Sequence, residues 1–326
     1  MYKYRKTIFK ITVSLLTLAL IVWVAIAFHL TNRQEYDIPF RIGVCVILAL
    51  MLWRFWVRFE DFAEFIGAVL HNRRLLFQLA KNDFRSKYAG SYLGIIWAYI
   101  NPIVTILVYW FVFEKGLRSS SVQEVPFVLW LSAGIIPWFF FADSVNSGTN
   151  ALIEYQYLVK KVVFRIDILP VVKILSAFFV HAAFVVILLV LYCAFGVFPT
   201  IYSLQLIYYS FALCVLVVGI AYITSAIVGF FRDLTPLIGI LLSIGVWMTP
   251  IMWNIDTMDI AAGWKLVLKA NPMYYIVAGY RDAMIHHVWF WEHPGLTLYY
   301  WIVTFFILGF GMVIFKKLKP HFADVL

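Results

Sequence analysis

The chain has 326 residues, of which 64% are hydrophobic, 19% aromatic and only 13% charged, and its mean hydropathy is +0.90. That balance excludes a soluble globular domain, because uncharged runs recur at lengths near the ~20 residues that cross a bilayer. The net charge of +9 sits between the apolar runs, so it reads as membrane topology and attraction to lipid, not as a nucleic-acid footprint.

Eight apolar runs follow in chain order: Ile8–Leu30, Ile42–Val57, Leu93–Phe113, Phe127–Val145, Val171–Phe195, Leu206–Phe230, Leu234–Trp253 and Leu296–Phe315. The second is short and the seventh is the weakest. Lys3, Arg5 and Lys6 precede the first run like the leader of a signal peptide. The run is longer than a usual signal core and no small-residue cleavage site follows, so it reads as an uncleaved span. Cys45, Cys193 and Cys214 all lie in apolar runs without metal or redox spacing and read as small buried hydrophobes. No repeat, low-complexity tract or soluble domain stands out.

Lysine and arginine set the expected orientation. With the N-terminus in the cytoplasm, seventeen of the 26 cations fall on cytoplasmic segments and seven on outer ones, with Lys10 and Lys173 inside or at the edge of spans. Both termini are therefore expected in the cytoplasm.

Between the second and third runs, Leu76, Ala80, Phe84 and Tyr88 recur every four positions, while Arg74, Gln78, Lys81 and Arg85 take other faces. The period is that of an amphipathic helix lying flat in the interface. Gly90 and Ser91 supply the turn into the third run. Two readings stand side by side: a topology anchor, or a helix that also meets a cytoplasmic partner. The next cytoplasmic segment, Asn150–Pro170, is also basic and amphipathic, with Lys160, Lys161 and Arg165, and too short to span. Two such elements flanking one pair of spans suit a transporter moved by a separate motor, since force must pass through packed helices.

The outer segment 254–293 is too apolar for a free loop and is broken at Asn271-Pro272, which predicts a helical hairpin dipping into the outer leaflet or an interfacial aromatic anchor. Inside the spans, ionisable groups are few: Asp143, Lys173 and His181. A proton-driven carrier would want midplane carboxylates, and almost none occur. Asp143 and Lys173 read either as a structural pair near the cytoplasmic boundary or as groups with a role in transport, and His181 as a satisfied interhelical histidine. Trp97 and Asn101, one helical turn apart with Thr105 continuing the face, and Trp247 are the aromatic and polar candidates for a channel lining. Pro102 invites a kink beside them.

Several stretches, in order, resemble the permease subunit of ABC-2-type exporters of lipid-linked polysaccharide and teichoic acid: YLGIIWAYINP, VPFVLWLSAGIIPWFFF, LVKKVVFRIDILP, GFFRDL, and the pair MTPIMWNID and KANPMYYIVAGYRDAMI. The resemblance runs from about Arg73 to the C-terminus, and HFADVL with the loop FEKGLRSSSVQEVPF looks closer to the Gram-positive branch. It implies an all-α polytopic membrane protein with an interface-helix region over 60–91 and a six-span core over 92–326, preceded here by an N-terminal extension over 1–59 whose two extra spans are read from the apolar runs alone. The two extra spans depart from the family pattern. It further implies a homodimer around a channel in a bacterial cytoplasmic membrane, with two copies of an ABC ATPase below that carry the ATP and magnesium. Leu76, Phe84, Tyr155, Tyr157, Lys160 and Lys161 would then couple to the ATPase, and Pro272, Tyr274, Tyr275 and Tyr280 would belong to an outer gate. Arg73, Arg74, Lys81, Arg85 and Lys87 would sit at headgroup depth, where cations can hold the diphosphate of a polyprenyl-linked glycan or teichoic acid. Their alternative role is general attraction to anionic membrane lipids.

No phosphate-binding G-x-x-x-x-G-K-[ST] sequence occurs, so no cofactor, metal or catalytic residue is expected on this chain and no nucleic acid among its partners. A membrane glycosyltransferase working on polyprenyl carriers would need positioned carboxylates, whereas the acidic residues here are scattered. An ABC-2 exporter of a small lipid or drug and a structural membrane subunit complete the alternatives.

Overall fold

Residues 67, 69–116, 125–160, 165–255 and 261–326 are described by the structure, a computed structural model. The two N-terminal runs, Cys45 and Lys161 lie outside them. Among the described residues there are helices and no strands.

The amphipathic segment forms α1 (Arg73–Lys87), with Leu76 and Ala80 buried and Arg73, Arg74, Lys81 and Arg85 exposed. One side of it packs against α4 (Leu169–Ala194). The chain then turns at Gly90 and Gly94, whose φ angles of 82° and 52° favour glycine, and enters α2 (Trp97–Trp110). Next come α3 (Phe127–Thr149), two short helical turns at Ala151–Glu154 and Gln156–Val159, α4, and α5 (Gln205–Val228). The remaining elements are α6 (Leu234–Met248), α7 (Ala262–Lys269), α8 (Pro272–Arg281) and α9 (Pro294–Leu318).

Among the described residues, five helical segments are long and apolar enough to cross a membrane: Gly94–Glu114, Phe127–Thr149, Ile166–Ala194, Ile201–Val228 and Pro294–Val325. The seventh apolar run behaves differently. It is helical for only 15 residues, about 22 Å against a ~30 Å core. Thr249 is extended, with ψ 128°, because the following Pro250 disfavours a helical conformation there.

Burial orders the bundle. Within the chain, 78% of the apolar window of Phe127–Thr149 is buried, against 6% for Gly94–Glu114, so α3 is the central helix and α2 a peripheral one. Around α3 a large apolar cluster joins α4, α5 and α8. A smaller cluster of Leu76, Leu152, Tyr155, Ile168, Tyr222, Phe315 and Phe322 closes the end of the bundle that carries the basic segments, called here the basic end. There Asp167 accepts from Lys319 Nζ at 2.5 Å while its carbonyl accepts from the Tyr222 hydroxyl. The C-terminal residues and the basic loop are thereby tied together.

Two glycines let α5 and α9 touch backbone to backbone. A Cβ at Gly311 would meet the Gly219 carbonyl oxygen at 2.6 Å, and one at Gly219 would meet Leu308 N at 2.8 Å. Close approach of small residues is how helices gain contact where lipid removes the hydrophobic drive. Gly219→Val should therefore lower the unfolding midpoint in detergent by the equivalent of ~1–3 kcal/mol. Gly239→Val, where nothing lies within 4 Å, should leave it nearly unchanged.

Candidate functional site

At the basic end, α1 is held by a buried ionic cluster. Lys173 Nζ lies 2.5 Å from Asp83 Oδ1 and 2.5 Å from Glu154 Oε2, and the Tyr155 hydroxyl donates to Asp83 Oδ1 at 2.9 Å. The Lys173 ammonium also stands 5.0 Å from the centre of the Tyr155 ring. Burial, and then the Asp83 carboxylate, push the Tyr155 phenol well above its ordinary pKa, so it stays a donor. Lys173 and Asp83 keep only 7% and 11% of their side chains exposed, so neither charge can lose its partner cheaply.

This corrects the expected Asp143–Lys173 pair. Asp143 Oδ1 instead accepts from Lys87 Nζ at 2.6 Å. Spacing along α3 and α4 could not show that α1 lies across α4 and delivers Asp83 to Lys173. Burial pulls the Lys87 pKa down, but the Asp143 carboxylate outweighs it and the net direction is upward, so the ammonium remains charged. With side chains 42% and 37% exposed, such a pair contributes about 0–1 kcal/mol.

Two cavities meet at that pair. One, of about 260 Å³, has a mixed lining that includes Asp83, Ser147, Glu154, Lys173 and Val180. The other, of about 340 Å³, runs between α2, α3 and α4 past Trp97, Asn101, Phe139, Phe140 and Phe184 to His181. Lys87, Tyr88 and Asp143 line both. Of the four channel candidates, Trp97 and Asn101 therefore share a cavity. Thr105 stands one turn further along α2, donating to the Asn101 carbonyl at 2.8 Å, and Trp247 lies apart, exposed on α6.

The other expected groups separate by burial. Arg73, Arg74, Lys81 and Arg85 are exposed, while Lys87 carries the carboxylate partner just described. Leu76 and Tyr155 face inward, and Phe84 packs edge-on against Phe179 with centroids 6.0 Å apart. Tyr157 and Lys160 remain on the surface.

At the opposite end, α7 and α8 form a helical hairpin. Asn271 caps α8 by accepting from Met273 N at 3.0 Å and donates to Thr249 Oγ1 at 2.9 Å, with Pro272 in the first turn. The hairpin does not merely graze the surface, because α8 packs among α3, α5 and α9. Tyr274 faces Lys269, whose ammonium stands 5.9 Å from the ring. Tyr275 shares hydrogen bonds with Tyr208 at 3.0 Å and Thr297 at 3.1 Å. The Tyr280 hydroxyl reaches Ser210 at 2.7 Å and His181 Nε2 at 3.0 Å, so His181 does join helices.

Arg281, counted from sequence as an outer-surface cation, is buried. Its two terminal nitrogens donate to the Pro250 and Ile251 carbonyls, each at 2.8 Å, and its guanidinium carbon lies 3.4 Å from the centre of the Trp130 ring. The sequence carried one hint: a helix broken at Thr249-Pro250 leaves carbonyls that need a donor.

The sequence of this chain resembles those of known proteins. A match to the ABC-2 type transporter family spans residues 74–285, from α1 through the hairpin. The chain belongs to that family. This ABC-2 chain is 27% identical to the O-antigen export system permease protein RfbA of Myxococcus xanthus over 252 residues, 77% of this chain and 95% of that protein. A Klebsiella pneumoniae protein of the same name is 26% identical over 255 residues, again 77% and 95%. The polysialic acid transport protein KpsM of Escherichia coli is 24% identical over 204 residues, 62% of this chain and 78% of that one.

Proposed function

We propose that this ABC-2 chain is the membrane subunit of an ATP-driven exporter that moves a polyprenyl-diphosphate-linked polysaccharide or teichoic acid across the bacterial cytoplasmic membrane. Two copies enclose the passage, two ABC ATPase subunits holding ATP and magnesium bind below, and both termini face the cytoplasm. The observation that carries this reading is the open side of α2 toward α3 and α4, where the exposed amide of Asn101 follows the exposed ring of Trp97 by one turn along their shared cavity. A polar group facing lipid from an apolar span is costly, whereas a second copy or a hydrated glycan satisfies it. The peripheral α6, with Ile238 as its buried residue and Trp247 exposed, supplies an uncovered face.

The relatives' names favour a glycan as cargo, and the exposed row Arg73, Arg74, Lys81 and Arg85 favours an anionic lipid carrier. Motion from the ATPase would enter at Tyr157 and Lys160 and pass inward through Tyr155, Leu76 and Phe84, which lock α1 to α4. At the far end, Pro272, Tyr274, Tyr275 and Tyr280 would close the outer mouth.

The purified chain should hydrolyse no ATP alone and should do so once assembled with an ABC ATPase from the same cell. Cysteine at Gly263 should react with an impermeant thiol reagent from outside, and cysteine at Gln156 should not. Sustained hydrolysis by the chain alone, or the opposite labelling, would overturn the reading.

A further inference from the structure

We propose that Asp143 is a built-in competitor for Lys87, which makes the double cleft admit a lipid-linked diphosphate and refuse lipids with a single phosphate. The inference rests on the export reading and adds to it the selection of the carrier headgroup.

The argument begins with the charges that face the junction. The lining of the two cavities places Lys87 and Lys173 against Asp83, Asp143 and Glu154. Lys173 spends two of its three donors on carboxylates that outweigh its charge and is nearly buried, so it gives an anion little attraction. Lys87 has one carboxylate partner, and both members of that pair remain more than a third exposed. Asp143 can therefore turn to solvent without leaving a buried charge behind. As it stands, the junction has one carboxylate more than it has ammonium groups, and it repels anions. A ligand must outcompete Asp143 for the ammonium: a phosphodiester lipid brings no more charge than the carboxylate it replaces, a monophosphate ester brings somewhat more, and a diphosphate brings the most charge and the most acceptor oxygens. Specificity of this kind comes from a repulsive group set against the abundant wrong ligand.

The cavity beyond the pair suits what such a head carries. Trp97, Phe139, Phe140 and Phe184 give flat apolar walls, and Asn101 gives an amide. His181, buried in the same wall, spends Nε2 on Ser210 and Tyr280, while its Nδ1 has no partner among the described residues.

The test uses the full chain in discs of neutral lipid, titrated with farnesyl diphosphate, farnesyl monophosphate and inorganic diphosphate. Wild type should bind farnesyl diphosphate at least tenfold more tightly than the monophosphate, and inorganic diphosphate more weakly than either. Asp143→Asn should tighten the monophosphate and reduce that ratio to below about threefold, with Asp143→Ser as a second variant of the same sign. Lys87→Gln should lose tenfold or more for both farnesyl probes, and Lys87→Arg should keep the wild-type ratio. An unchanged ratio in both Asp143 variants, or wild-type binding in Lys87→Gln, would overturn the proposal. Equal binding of inorganic diphosphate would overturn the lipid-linked ligand. If cells carrying the wild-type chain export polymer while the ratio stays fixed in the variants, the competitor role falls and the export reading stands. Failure to assemble with an ATPase removes the export reading whatever the probes show.

Discussion

Lys173→Met is expected to cost roughly 3–5 kcal/mol, the range for breaking a buried ion pair by removing one partner. The methionine keeps the bulk of the lysine stem but leaves the Asp83 carboxylate, 11% exposed, with the Tyr155 hydroxyl as its remaining bond. The first consequence is local: α1 loses the tie that fastens its middle to α4. Trypsin should then cut after Arg74, Lys81 and Arg85 faster than in the wild type, and the unfolding midpoint in detergent should fall. Lys173→Met combined with Asp83→Leu should recover much of the loss, because an apolar pair of similar volume replaces a buried ion pair at little cost. Glu154, 52% exposed, can be left to water. A single variant as stable and as protease-resistant as wild type would show that α1 is held by its apolar contacts alone.

Arg281→Met should be comparably damaging, at roughly 3–5 kcal/mol from the carbonyls and the ring it leaves without a partner. It removes both donors to the Pro250 and Ile251 carbonyls, each of which would cost about 1–3 kcal/mol if left without a partner. It also removes the cation over Trp130, worth about 0.5–2 kcal/mol. Arg281→Lys separates charge from shape: an ammonium has no planar fork to reach two carbonyls while lying flat on an indole. The lysine variant should recover less than half of the lost stability, read as the shift in unfolding midpoint. It should also label faster at an engineered Gly263→Cys, since the hairpin would loosen. Full recovery by lysine would mean that the charge, and not the fork, holds the break after α6.

The features legible in the sequence are those governed by local chemistry. The turn at Gly90 follows from a residue type that tolerates positive φ. The start of α8 follows from Asn271-Pro272, a cap and a first-turn proline side by side. The buried stripe of α1 follows from apolar residues four apart. Each needs only a few neighbours along the chain.

The partners of the ionisable groups were not legible in the same way. Asp143 and Lys173 share a depth in neighbouring helices, and sequence alone pairs them. The structure gives Lys173 to Asp83, ninety residues away, and Asp143 to Lys87. Arg281 looked like one more outer cation because nothing in its neighbourhood shows that α8 enters the bundle between α3 and α5. The seventh apolar run looked long enough to span, and Pro250 shortened it to α6.

By itself the sequence determined that this protein is a polytopic helical membrane protein, where its helices begin and turn, and which face of α1 is apolar. Those are properties of composition and of a period of 3.6 residues, and in a bilayer every backbone group must be satisfied within its own helix, so local pattern suffices. Which helix is central, which cations are buried and which carboxylate each one meets were decided by the tertiary structure alone. Electrostatic partnership depends on distance and exclusion of water, and both arise only when α1 crosses α4 and α8 enters the bundle.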